Sequence, residues 1–224
     1  RILEREETIS ESGFDVRKGP ATGADKVFIR KRGGFGFSKR NRDGYLCPYE
    51  RAGDRTTDEV ILSVYRNGKL INFKRLPREV REYLQSHRKD LEGRYIVKKG
   101  RAKWWSTIDR VDFRMAESPK ILIPDYGLKC TLHNNGARLI PGHSVVYITG
   151  KNGVTLQSLL PMLNHPLIKL IRLWKAPPLG RAGLRSSSNV IRDLPISREG
   201  EGALYGLSET ELRCLKKEME LLFL

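Results

Sequence analysis

The chain has 224 residues, 39% hydrophobic and 30% charged, which is long enough to bury a core without disulfide staples and too apolar for a disordered chain. Its 42 Lys and Arg against 26 Asp and Glu give a formal charge of +16, which points to a polyanionic partner or to an acidic membrane surface. No apolar run approaches the roughly 20 residues of a membrane span, so a membrane-spanning protein is not expected.

In chain order, residues 1–12 read as a charged linker from an upstream domain. Arg1 is not a start methionine, and Glu4, Glu6 and Glu7 exclude a signal peptide. Residues 13–196 read as one domain. Val27, Phe28 and Ile29 suggest a short buried strand. Arg30 to Gly53 is rich in Gly and Arg and reads as a hairpin or mobile loop. Val60, Leu62 and Val64 alternate as in a strand, Asn67-Gly68 is a hairpin turn, and Leu70 to Phe73 is the expected return strand. Pro77 stands at an expected first helical position, and Val80, Tyr83, Leu84, His87 and Leu91 form one helical face.

Tyr95 to Val97 reads as a short strand. Lys120 to Pro124 and Ser144 to Thr149 are the clearest buried strands. Residues 155–175 read as two helices divided at Asn164-His165-Pro166. Ala176 to Asn189 is a Pro/Gly/Ser loop. Residues 197–224 read as an acidic segment and an amphipathic helix, opened by a Ser208/Glu211 capping box. The expected class is α+β, a mixed β-sheet with helices concentrated in the C-terminal third.

The basic charge is grouped. Residues 17–42 hold nine Lys and Arg against Asp25 alone, and residues 94–114 hold seven against Asp109 and Asp112. Arginine outnumbers lysine 25 to 17, and its planar fork suits phosphate and the guanine edge. In the Trp104-Trp105 pair, taken as strand residues, one ring would face the core and the other a basic surface where it could stack on a base; both rings in the core is the other reading. Asn134, Asn135 and Arg138 offer amide and guanidinium groups for base edges, or an ordinary Asn-Gly turn.

Catalytic signatures are absent from the sequence: no dinucleotide fingerprint, no Walker loop and no H-E-x-x-H. The four histidines are scattered, and no metal site is expected. Asp109 with Asp112, or Asp54 with Asp58 and Glu59, are the nearest carboxylate pairs for a Mg²⁺ nuclease, with ion pairing to neighbouring bases the alternative. Cys47, Cys130 and Cys214 lie more than 80 residues apart with no C-x-x-C pair, so a reducing cytoplasm is the expected compartment.

Several stretches, in order, resemble one family. Gly19 to Ile29 is similar to the G-x-x-T-G-x-[ND]-x-x-F element that opens the C-terminal specificity domain of TaqI-like N6-adenine DNA methyltransferases, including type IIG restriction-modification enzymes; Thr22, Gly23, Asp25 and Phe28 are the matching positions. Leu76 to Arg94 resembles the family's helix before a tryptophan, and Trp104-Trp105 stands where that tryptophan is expected. Ser118 to Gly127, His143 to Gly150, Leu159 to Ile171 and Val190 to Ile196 resemble the strand, strand, helix and closing strand that follow. The family's Gly-Arg-Asp-type element has a loose counterpart in Asn41-Arg42-Asp43-Gly44.

The resemblance implies a target recognition domain that binds double-stranded DNA and positions it for methylation by an upstream methyltransferase domain of the same parent chain. S-adenosylmethionine is expected in that upstream domain, since this chain has no Asn-Pro-Pro-aromatic motif, no cofactor is expected here, and the chain is not expected to be an enzyme by itself. The candidate DNA contacts are Lys18, Thr22, Arg30, Lys31, Arg32, Lys39, Arg40, Arg42, Arg101, Lys103, Trp104, Arg110, Asn134, Asn135, Arg138, Arg181 and Arg185. A non-specific nucleic-acid-binding module, a Mg²⁺-dependent nuclease domain and a subunit-docking module are the alternatives.

Overall fold

Two β-sheets with different strand patterns organise the chain. The structure is a computed structural model describing residues 7–51, 58–125, 127–134, 136–150, 155–176, 185, 187–196 and 208–221. The chain folds as two compact units, the first made of Arg1–Lys18, Pro119–Asn135 and Ser144–Leu224, the second of Gly19–Ser118 and Gly136–His143. The span expected to be one domain, 13–196, thus contributes to both. Among the described residues no helix is long and apolar enough to cross a membrane.

The first unit holds an antiparallel sheet in the order Phe14–Lys18, Val145–Gly150, Lys120–Pro124, Thr131–His133. The two strands expected to be buried are its neighbours, with Tyr147 opposite Leu122 and Ile148 opposite Ile121. Side chains alternate along a strand, so Val146, Ile148, Ile121 and Ile123 share one core with Phe14 and Val16. Leu156, Leu159 and Leu163, spaced three and four apart in the helix Leu156–Asn164, pack into that core. The helix Pro166–Lys175 follows, where Pro166 sits in the first turn and the His165 side chain caps by accepting from the Leu167 amide at 3.3 Å.

Residues 7–12 are built into this unit rather than trailing from it. Glu7–Thr8 pairs antiparallel with Pro195–Ile196, and Ile9 is fully buried. The expected closing strand from Val190 is mostly the helical turn Ser188–Arg192, capped by Ser187 at the Val190 amide, with two strand residues after it. The Ser208/Glu211 capping box forms, reciprocally, at the start of the helix Glu209–Leu221.

The second unit carries a mixed sheet in the order Ile140–Pro141, Leu46–Glu50, Glu59–Leu62, Ile29–Lys31, in which the first pair is parallel and the others antiparallel. Val60 and Leu62 join one cluster with Phe28, Val80, Leu84 and Leu91, whereas Ile61 joins another with Cys47, Tyr49 and Ile140. Each fully buried Leu or Phe contributes roughly 1.5–3 kcal/mol. Val80, Leu84 and Leu91 come from the helices Arg78–Ser86 and Arg88–Glu92, so helix is not confined to the last third of the α+β fold. Pro77 stands one position before the first helical residue.

Asn67 and Gly68, at φ 50° and 75°, make the expected tight turn, but between strands of two residues, Tyr65–Arg66 and Lys69–Leu70. The expected strand at 27–29 is instead a helical turn, Asp25–Phe28, with the strand starting at Ile29. The Thr22 hydroxyl, which donates to Asp25 and accepts from the Ala24 amide, folds the backbone into that turn.

Arg30 to Gly53 is regular structure over much of its described length, against the expectation of a hairpin or mobile loop: it contains the helix Lys39–Tyr45 and the strand Leu46–Glu50. Its glycines alternate with buried anchors. Phe35 and Phe37 pack edge-on against Tyr83 at 5.1 and 5.6 Å between ring centroids. Tyr95–Lys98 is a helical turn and not a strand. Trp104 and Trp105 lie in a turn, both half-buried around Phe73, so they do not point to opposite sides of a sheet.

Gly19 meets the Pro141–Gly142 backbone so closely that a Cβ there would overlap both carbonyl oxygens. Backbone cannot move aside as a side-chain tip can. Gly19→Ala is therefore expected to destabilise by about 3 kcal/mol through overpacking, read as a lower urea midpoint. An unchanged midpoint would mean that the Pro141–Gly142 backbone yields to the added methyl group.

Candidate nucleic-acid interface

Four of the expected contact residues, distant in sequence, converge on one cleft of the second unit. Arg32 follows the strand Ile29–Lys31, Lys39 and Arg42 stand on the helix Lys39–Tyr45, and Arg138 precedes the strand Ile140–Pro141. The cleft has a volume of about 470 Å³ and a floor of Leu46, Pro48 and Val60. Leu46, Pro48 and Val60 share a sheet face by period two, with Pro48 opposite Val60. Among the described residues Asp43 is the one carboxylate in the lining.

The cations differ in how they are held. Arg138 is aimed by Glu117, with N···O distances of 2.9 and 3.0 Å, and lies over the Phe113 ring at 5.2 Å. Arg32 faces Asp58 at 3.4 Å with both side chains mostly exposed, a pair worth little in water. Lys39 and Arg42 are exposed and make no ion pair among the described residues. An arginine fork can grip phosphate or the guanine O6/N7 edge with two bonds, and lysine adds a point charge.

Glu79, which the sequence reading passed over, sets the helix that carries Lys39 and Arg42. Its Oε2 accepts from the Ser38 amide at 2.8 Å, the Ser38 hydroxyl at 3.0 Å and the Asn41 amide nitrogen at 2.8 Å. The Asn41 bond first, and then the Ser38 amide, holds the Glu79 carboxyl below the ordinary glutamate range. A depressed carboxylate stabilises above its unfolded pKa, and the contribution is lost as pH falls through the lowered value. Glu79→Ala is expected to speed amide exchange across Asn41–Tyr45 while exchange in Leu46–Glu50 stays slow. Equal exchange in both segments would remove Glu79 from this role.

The other expected contacts sort by what they touch. Lys31, Arg40, Arg101, Lys103 and Asn134 are exposed; Asn134 belongs to the first unit and Arg138 to the second. Arg110 is exposed over the Asn67-Gly68 turn, donating to the Gly68 carbonyl at 3.3 Å. Asn135 and Arg181 lie outside the described residues. Five are engaged in the fold. Thr22 is 1% exposed and makes the turn bonds described above. Arg30 bonds the Gly34 carbonyl and His87 and lies over Tyr83. Trp104 packs on Phe73 beneath Arg88. Lys18 and Arg185 both bind Oδ2 of the buried Asp125, at 3.0 and 2.9 Å.

The G-x-x-T-G stretch is likewise architectural. Gly23, at φ 72°, abuts Ile108. The Ala21 amide donates to Asp109 at 2.8 Å, and Arg94 donates to the Thr22 and Trp104 carbonyls at 3.2 and 2.8 Å. Burial pushes the Arg94 guanidinium below its ordinary value. Asp112 caps the helix Phe113–Glu117 and pairs with Arg114 at 3.1 Å. Asp109 and Asp112 thus serve the fold, and Asp54 lies outside the described residues. Among the described residues no three His, Cys, Asp or Glu side chains group as a metal site.

Against this geometry stand the likenesses to known proteins. No protein-family model matches the chain. It is 32% identical over 197 residues to the type II methyltransferase M.PaeR7I of Pseudomonas aeruginosa, a match covering 85% of this chain and 33% of that protein. The chain is similar in sequence to type II methyltransferases. A second relative, M.XhoI of Xanthomonas vasicola, is 27% identical over 242 residues, covering 94% of this chain and 43% of that protein. The chain therefore spans less than half the length of these relatives. Its fold is similar to part of MmeI, a type IIL restriction-modification enzyme solved in complex with DNA, with a TM-score of 0.60 at 10% identity over 80% of this chain and 24% of that one.

Proposed function

We propose that this chain is the target recognition region of an N6-adenine DNA methyltransferase or a fused restriction-modification enzyme, binding duplex DNA in the cytoplasm. The observation that carries the reading is the cleft in which Arg32, Lys39, Arg42 and Arg138 converge from three segments over an apolar floor. Likeness to type II methyltransferases and to part of a restriction-modification enzyme supports it. Lys39 and Arg42 neutralise phosphates and fix register, and Arg138, aimed by Glu117, reads a base edge or a further phosphate. Lys31 and Arg40 extend the basic surface beside the cleft.

Methyl transfer and S-adenosylmethionine binding belong, in this reading, to a methyltransferase domain of the parent protein outside these residues. The chain alone transfers no methyl group. Its part is to hold the duplex so that the target adenine can leave the stack. The test is an anisotropy titration of the 224-residue chain with a random-sequence duplex at two salt concentrations. Binding that weakens steeply with salt is expected, because each neutralised phosphate releases counterions. Binding that is absent or indifferent to salt would contradict the proposal.

A further inference from the structure

Segment 93–108 of the second unit presents chemistry that the cleft does not use. From Gly93 to Ile108 the sequence holds no Asp or Glu, and Lys98, Lys99, Arg101 and Lys103 are all exposed. Arg94 anchors this segment, with its guanidinium bound to the Leu91, Thr22 and Trp104 carbonyls. Backbone bonds from Lys99 to Tyr95 and from Arg101 to Ile96, both 3.0 Å, close the chain back on the turn Tyr95–Lys98. Gly100, at φ 69°, permits the reversal.

Tyr95 is 71% exposed, whereas Ile96 and Val97 beside it are half-buried. The Lys99 ammonium lies 5.6 Å from its ring centroid. A ring standing in water among cations suits nucleic acid whose bases are unstacked, where base–aromatic stacking adds to phosphate attraction. Phosphate alone would need the cations and not the ring, and an intact duplex offers the ring no base face.

We propose that Tyr95 stacks on a base that has left the duplex stack, while Lys98, Lys99 and Arg101 hold the flanking phosphates. The inference rests on the DNA-binding reading above, since enzymes that modify a base take it out of the helix. Two duplexes of equal length and charge test it with the whole chain, one fully paired and one with a single base opposite an abasic site. The unpaired base is expected to raise affinity about tenfold. Tyr95→Ala is expected to abolish that preference without changing affinity for the paired duplex, and Tyr95→Phe to keep it.

Because the ring is exposed, Tyr95→Ala is expected to melt at the parent temperature, and the same samples check this. Equal affinity of the parent chain for both duplexes overturns the inference and leaves the cleft reading standing. A preference that survives in Tyr95→Ala also overturns it. Binding to neither duplex overturns the DNA reading itself, and this inference with it.

Discussion

Replacing Lys39 and Arg42 together by alanine is expected to weaken duplex binding at least about tenfold, since bonds to charged groups contribute roughly 1.5–3 kcal/mol each before exposure reduces them. The slope of log affinity against log salt should become shallower by roughly two, one for each lost phosphate contact. The melting temperature should not move, because both side chains are exposed and unpaired among the described residues. Arg78→Ala is the control: Arg78 pairs with Glu82 on the same helix at 2.7 Å and does not line this cleft. A double variant with the parent's affinity and salt slope would move the interface elsewhere on the molecule.

The second large effect concerns stability. Arg172 is fully buried in the first unit, on the helix Pro166–Lys175. It donates to the Leu128 carbonyl at 2.9 Å and the Gly127 carbonyl at 3.3 Å and lies 3.4 Å from the Cys130 sulfur. Burial pushes the guanidinium below its ordinary value and the Cys130 thiol above its own. Arg172→Ala is expected to cost about 3 kcal/mol, since it removes the donor that holds the Leu128 and Gly127 carbonyls and leaves a void where the fully buried side chain sat. Arg172→Met, which keeps most of the volume, should cost less. Urea denaturation ranks the three proteins, and an alanine variant as stable as the parent would mean that relief of the buried charge offsets the lost contacts.

What could be read from the sequence was whatever depends on local pattern. Lys120–Pro124 and Val145–Gly150 are apolar runs bounded by turns, and they are buried strands. Asn164-His165-Pro166 divides two helices as its proline requires. Misreadings fell where distant contacts override local preference. Tyr95, Ile96 and Val97 favour a strand by composition, but the Arg94 anchor, made through carbonyls of three separate segments, closes a helical turn. The Gly-rich stretch after Arg30 reads as loop because its order depends on Phe35 and Phe37 reaching Tyr83, some fifty residues on.

The candidate site was legible as charge and not as geometry. Clustering singled out residues 17–42, and Arg32, Lys39 and Arg42 do line the cleft. The same composition could not separate them from Arg30, Lys18 and Thr22, whose partners His87, Asp125 and Asp25 are within the fold. Arg138 joins the cleft through a parallel strand pair, a long-range contact that no local pattern announces. Glu79 carries no motif at all; its importance lies in the three donors that the 38–41 segment brings to one oxygen.

Selection of the chain against a randomised duplex pool, with sequencing of the retained molecules, tests target recognition most directly. A short enriched motif is expected, one that fades when Arg138 is replaced by alanine while salt-sensitive binding persists. Tight, salt-sensitive retention of every sequence alike would contradict target recognition by this chain and favour a non-specific nucleic-acid-binding module.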